Sequence, residues 1–121
     1  MAKLLIIDDT ENNRILLSRR LKPRGHEILL AEDAEKGLVI AKEQMPQLVL
    51  MDIGLPGMDG YEVVARLRAA PATRSALIVA LTGYGRPEDR LKSRNAGFDA
   101  HLVKPVDPDA LLSLLGGRLS E

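Results

Sequence analysis

Asp8, Asp9, Asp52, Thr82 and Lys104 each stand where an apolar run stops, and together they are three carboxylates, a hydroxyl and an ammonium. Asp52 ends the run Leu48-Val49-Leu50-Met51 and opens a loop marked by Pro56-Gly57 and Asp59-Gly60, pairs that punctuate turns. Brought together, three carboxylates repel one another unless a cation joins them. A set of hard oxygen ligands without His or Cys selects magnesium or a similar ion. A lysine and a hydroxyl facing the same point supply a cation and a donor for phosphoryl oxygens, and a carboxylate can be the nucleophile that forms an acyl phosphate. Taken singly, each residue has an ordinary explanation as a solvated turn, a cap or a surface charge. The chemistry depends on the elements that would gather them.

Those elements are legible as short buried runs. Leu4-Leu5-Ile6-Ile7 ends at Asp8-Asp9, Ile28-Leu29-Leu30-Ala31 at Glu32-Asp33, and Leu77-Ile78-Val79-Ala80-Leu81 at Thr82-Gly83. Ala100-His101-Leu102-Val103 ends at Lys104-Pro105. Helical patterns separate the runs. The first extends from about Glu11 to Lys22, with Leu17 and Leu21 four apart and Ile15 beside them, and Pro23-Arg24-Gly25 closes it. The second is capped by Asp33, carries Ala34, Leu38, Ala41 and Met45 on one stripe and stops at Pro46. A third opens at Asp59, with Glu62 as capping-box partner and Val63, Val64 and Leu67 as its apolar face. The fourth begins near Pro87, carries Glu88 and Asp89 in its first turn and ends at Ala96-Gly97. The fifth takes Asp107 as cap and Pro108 at its first position, presents Leu111, Leu112, Leu114 and Leu115, and stops at Gly116-Gly117. Strand-helix alternation with wholly apolar strands predicts an α/β fold, a parallel sheet covered by helices on both faces. In such a sheet ligands bind at the carboxyl edge, where strand order reverses.

At 121 residues and 45% hydrophobic content, the chain is expected to form one domain, residues 1–121. Lys plus Arg and Asp plus Glu both number 17, so the charge balance favours neither nucleic acid nor an anionic membrane surface. There is no cysteine, and His26 and His101 are too few for a typical zinc site. With no signal-peptide core and no run of about 20 apolar residues, a soluble cytoplasmic protein is expected.

At Ile7-Asp8-Asp9, Met51-Asp52-Ile53-Gly54-Leu55-Pro56-Gly57-Met58-Asp59-Gly60, Leu81-Thr82-Gly83 and Val103-Lys104-Pro105, the chain resembles the receiver domain of two-component response regulators, essentially end to end. The resemblance implies a flavodoxin-like doubly wound (βα)5 fold with strand order 2-1-3-4-5 and a cis Lys104-Pro105 bond. It also implies Asp52 as phosphoacceptor, and Mg2+ bound by Asp9, Asp52 and the Gly54 carbonyl directly and by Asp8 through water. Thr82 would bond the phosphoryl group, and Lys104 would pair with it and hold the acids. The implied partners are a histidine kinase or histidine phosphotransfer protein that donates the phosphoryl group and a downstream protein target, reached through the fourth helix and fifth strand.

The sequence departs from the family pattern in places. His101 replaces the usual strand-five aromatic residue and is expected to act with Thr82 as the switch. Gly54 and Tyr84 flank the expected path of the hydrolytic water without offering a carboxylate or amide, which predicts slow self-dephosphorylation. Arg14, Ser18, Arg19 and Lys22 fall on one side of the first helix, the side that in the family meets the phosphodonor. Met1 directly before the first strand favours a single-domain regulator without an output domain, and the alternative is a receiver module of a hybrid histidine kinase. The protein is expected to be no enzyme beyond its own phosphorylation and dephosphorylation. An aspartyl-phosphate phosphohydrolase would need an acid where Gly54 stands. A flavodoxin-like nucleotide binder would need a phosphate loop where Asp8-Asp9-Thr10-Glu11 would repel the phosphate.

Overall fold

The computed structural model of the chain describes residues 2–52, 60–82, 97–103 and 107–119, with Thr82 and residues 115–119 described through their backbone alone. Five strands, β1 (Lys3–Ile7), β2 (Glu27–Ala31), β3 (Leu48–Asp52), β4 (Leu77–Thr82) and β5 (Ala100–Val103), form one sheet in the order β2-β1-β3-β4-β5. Every pairing is parallel. Four described helices accompany them: α1 (Glu11–Leu21), α2 (Ala34–Gln44), α3 (Gly60–Ala69) and α4 (Pro108–Leu119). The helix expected near Pro87, the Asp59 cap and the Lys104-Pro105 bond lie outside the described residues.

Successive strand side chains point to opposite faces, and the core divides accordingly. Leu5, Ile7, Val49, Met51, Ile78 and Ala80 pack with Leu38 and Ala41 of α2 and Val63, Val64 and Leu67 of α3. Leu4, Ile6, Leu48, Leu50, Val79 and Leu81 pack on the other face with Leu17 and Leu21 of α1 and Leu111 of α4. Burial on both faces explains why β1, β3 and β4 read as continuous apolar runs rather than as alternating ones, whereas the edge strands β2 and β5 are partly exposed.

Local chemistry sets several helix ends. Asp33 caps α2 by accepting the Lys36 N–H at 2.8 Å. Asp107 caps α4, its Oδ1 accepting the Asp109 N–H at 3.0 Å. After α1, a 3-10 turn over Lys22–Arg24 ends at Gly25, whose φ of 90° is the left-handed conformation that glycine adopts without strain.

Four sequence expectations need correction. Ile15 is 39% exposed, and the inward residues of α1 are Leu17, Ser18 and Leu21. Met45 is 60% exposed because it is the left-handed C-cap of α2 at φ 48° and has already left the apolar stripe. Helix α4 passes through Gly116-Gly117 to Leu119, since glycine weakens a helix interior by only about 1 kcal/mol each and stops it only when it turns left-handed. Ser18 is buried and Arg14 half-buried, so of the four polar residues expected on the phosphodonor side of the first helix, only Arg19 and Lys22 lie exposed.

Candidate functional site

Strand register brings the acids together. Ile7 pairs with Met51 across β1 and β3, so the next residues, Asp8 and Asp52, leave the sheet side by side. Strand order reverses between these two strands, and a crevice opens there because the crossover helices depart to opposite faces. On the far side of β3, Asp52 pairs with Leu81, which places Thr82 one residue further along the same edge. Thr82 pairs with Val103, the residue before Lys104.

One carboxylate oxygen from each of Asp8, Asp9 and Asp52 lies within 4.8 Å of the other two. Their exposures differ. Asp8 is wholly buried, Asp52 is 6% exposed and Asp9 is open to solvent. Asp8 is also fixed on all sides, its N–H donating to the Ala31 carbonyl at 3.1 Å and its Oδ1 accepting the Thr10 N–H at 2.8 Å. Asn13 Nδ2 reaches its Oδ2 at 3.4 Å, and Arg14 Nη1 donates to its main-chain carbonyl at 2.5 Å. Buried charge is tolerated only when hydrogen-bonded or paired. A rigid buried acid beside one enclosed and one exposed carboxylate suits a small hard cation that keeps several waters, as magnesium does. The donor set therefore fits the ion that the sequence implies.

Of the other expected site residues, Thr82 is seen at the end of β4 and His101 is half-buried in β5, paired in register with Ala80. Gly54, Tyr84 and Lys104 lie outside the described residues. Asn13 was not among the residues expected at the site, and Arg14 was expected only on the side of the first helix that meets the phosphodonor; both bond Asp8. A signal was available for Arg14, because positions 14, 17, 18 and 21 form one helical stripe and Leu17 and Leu21 already mark it as inward.

A doubly wound parallel sheet with carboxylates gathered at its switch point defines a class, the flavodoxin-like modules whose chemistry sits at the carboxyl ends of β1 and β3. Within that class, the chain belongs to the response regulator receiver domain family, whose model matches residues 4–116. Protein PilH of Pseudomonas aeruginosa is 31% identical over 120 residues, 99% of either chain. Response regulator PleD of Caulobacter vibrioides is 34% identical over 106 residues, which are 88% of this chain and 23% of PleD. Chemotaxis protein CheY4 of Vibrio cholerae superposes with a TM-score of 0.89 at 31% identity, over 97% of this chain and 98% of that one. Receiver domains are signalling modules, and phosphorelay signalling is the function of the family to which this chain belongs. Among the described residues, no helix is long and apolar enough to cross a membrane.

Proposed function

We propose that this receiver takes a phosphoryl group onto Asp52 from a phosphohistidine of a histidine kinase or histidine phosphotransfer protein, in a Mg2+-dependent reaction, and thereby switches its contacts with a downstream protein. The observation that supports this best is the gathering of Asp8, Asp9 and Asp52 at the switch point of the sheet. A carboxylate oxygen of Asp52 attacks phosphorus, the N–P bond breaks, and its electron pair leaves with the imidazole, which is then protonated. Asp8 and Asp9, with Asp52 and the Gly54 carbonyl, would hold the magnesium ion. When bound, the ion neutralises charge on the carboxylates and phosphoryl oxygens. Asp8 orders the pocket, because its carboxylate is buried and braced before any phosphodonor arrives. The Lys104 ammonium and the Thr82 hydroxyl are assigned to the phosphoryl oxygens.

The new charge biases a pre-existing equilibrium, and its readout is assigned to Thr82 and His101. His101 lies on β5, the strand that pairs with the Thr82 strand. Residues 1–121 act in this reading as one receiver unit, in the cytoplasm, where ATP-dependent kinases form phosphohistidine. The self-catalysed gain and loss of the phosphoryl group is the only reaction assigned to the chain. The test is intact mass after incubation with a small acyl-phosphate donor. A phosphoryl adduct that needs Mg2+ and disappears in Asp52→Asn supports the reading, and a folded wild-type protein that forms none refutes it.

A further inference from the structure

The carbonyl of Asp8 lies beyond the strand ladder. Strand β2 ends at Ala31, so the donor that a longer β2 would offer this carbonyl is supplied by a side chain instead. That donor is Arg14 Nη1, at 2.5 Å. A buried backbone carbonyl needs a partner, and one bonded to a guanidinium has a stronger and shorter contact than a neutral donor gives. Arg14 is half-buried on the inward stripe of α1 and, among the described residues, forms no ion pair.

We propose that Arg14 is a positioning residue of the acid pocket: by clamping the Asp8 carbonyl it fixes the Asp8–Asp9 peptide, and with it the aim of both carboxylates toward Asp52. The contact is to the main chain, so it orders the acids without taking up a carboxylate as a salt bridge would. This rests on the reading that the pocket binds Mg2+. It also moves Arg14 from the partner-facing surface expected from the sequence into the site itself.

The test compares Arg14→Met, which keeps the stem but loses charge and donors, with Arg14→Lys, which keeps the charge but loses the planar fork. Amide NMR of the unphosphorylated protein gives Mg2+ affinity by titration and hydrogen exchange at the Thr10 N–H, the donor to Asp8 Oδ1. Arg14→Met is expected to weaken Mg2+ binding about tenfold, the scale on which outer supports of metal ligands act, and to speed Thr10 exchange without Mg2+. Arg14→Lys is expected to recover part of both effects. Should Arg14→Met not fold, Arg14→Gln takes its place with the same expected direction. The proposal is overturned if the variant binds Mg2+ as wild type does, exchanges Thr10 at the wild-type rate and loses only transfer from a phosphohistidine donor, because Arg14 then acts in docking. Tighter Mg2+ binding overturns it too, since the repulsion of its charge would then outweigh its bracing. A wild-type protein that binds no Mg2+ refutes the proposed function instead, and Thr10 exchange alone then decides the brace.

Discussion

Gly37 of α2 packs against Ile7, the last residue of β1 and the one before Asp8. A Cβ built there would clash with Ile7 Cδ1 and would meet Cγ1 at 2.7 Å and Cγ2 at 3.4 Å. Ile7 is wholly buried, and it is paired with Ala31 on one side and Met51 on the other, so the strand has little room to give. Gly37→Ala sets two effects against each other. The helix gains about 1 kcal/mol from replacing glycine with alanine in its interior, while overpacking a tight core costs about 1–3 kcal/mol. The clash involves Cγ1 as well as the rotatable Cδ1, so overpacking wins, and we expect a net loss of about 1 kcal/mol, or about 3–5 °C in Tm for a domain of this size. Circular-dichroism melts and urea titration measure it. Ile7→Val removes the Cδ1 methyl and normally costs about 1 kcal/mol, but in the Gly37→Ala background it should cost almost nothing. That gives a coupling of about 1 kcal/mol in the double-mutant cycle. A Gly37→Ala protein that gains the full propensity increment, with an additive cycle, would refute the argument.

Other substitutions test the frame and the site separately. Arg68 donates through Nε and both Nη atoms to Gly97 O, Arg74 O, Ala76 O and Asp99 Oδ2, tying α3 to the starts of β4 and β5. Arg68→Ala should therefore cost about 3 kcal/mol in urea unfolding, as breaking a partly buried pair does, and a cost near that of an exposed ion pair would contradict the geometry. Asp33→Ala should remove the cap of α2 and about 1 kcal/mol of stability, with the loss visible as a lower Tm and no change in magnesium affinity. Gly54→Asn should shorten the lifetime of the phosphoryl adduct by placing an amide where a hydrolytic water would be oriented. A lifetime equal to that of wild type would sink the expectation of slow self-dephosphorylation.

The sheet was legible in the sequence because its strands are short apolar runs that end in polar residues: β1, β3 and β4 are buried on both faces, while the edge strands β2 and β5 stay apolar though partly exposed. Helix faces were harder to read. Ile15 fits an apolar stripe by composition, yet lies one position outside the narrow inward set of Leu17, Ser18 and Leu21, where a serine is buried instead. Met45 follows the stripe numerically but sits beyond the turn at which the chain goes left-handed. Gly116-Gly117 resembles a stop, but a glycine pair ends a helix only through its backbone conformation, which composition does not carry. At the site, the acids could be placed because strand ends share an edge. The contact of Arg14 Nη1 with the Asp8 main-chain carbonyl and that of Asn13 Nδ2 with the Asp8 carboxylate leave no motif in the sequence, although the helical stripe of α1 marks position 14 as inward.

The most direct test of the central claim is to locate the phosphoryl group after transfer from a phosphohistidine donor in the presence of Mg2+. Borohydride reduction converts an aspartyl phosphate to homoserine, which peptide mass spectrometry assigns to a position. Homoserine is expected at position 52 alone, and none when Mg2+ is chelated. Conversion at Asp8 or Asp9, or a folded protein that accepts no phosphoryl group at all, would contradict it.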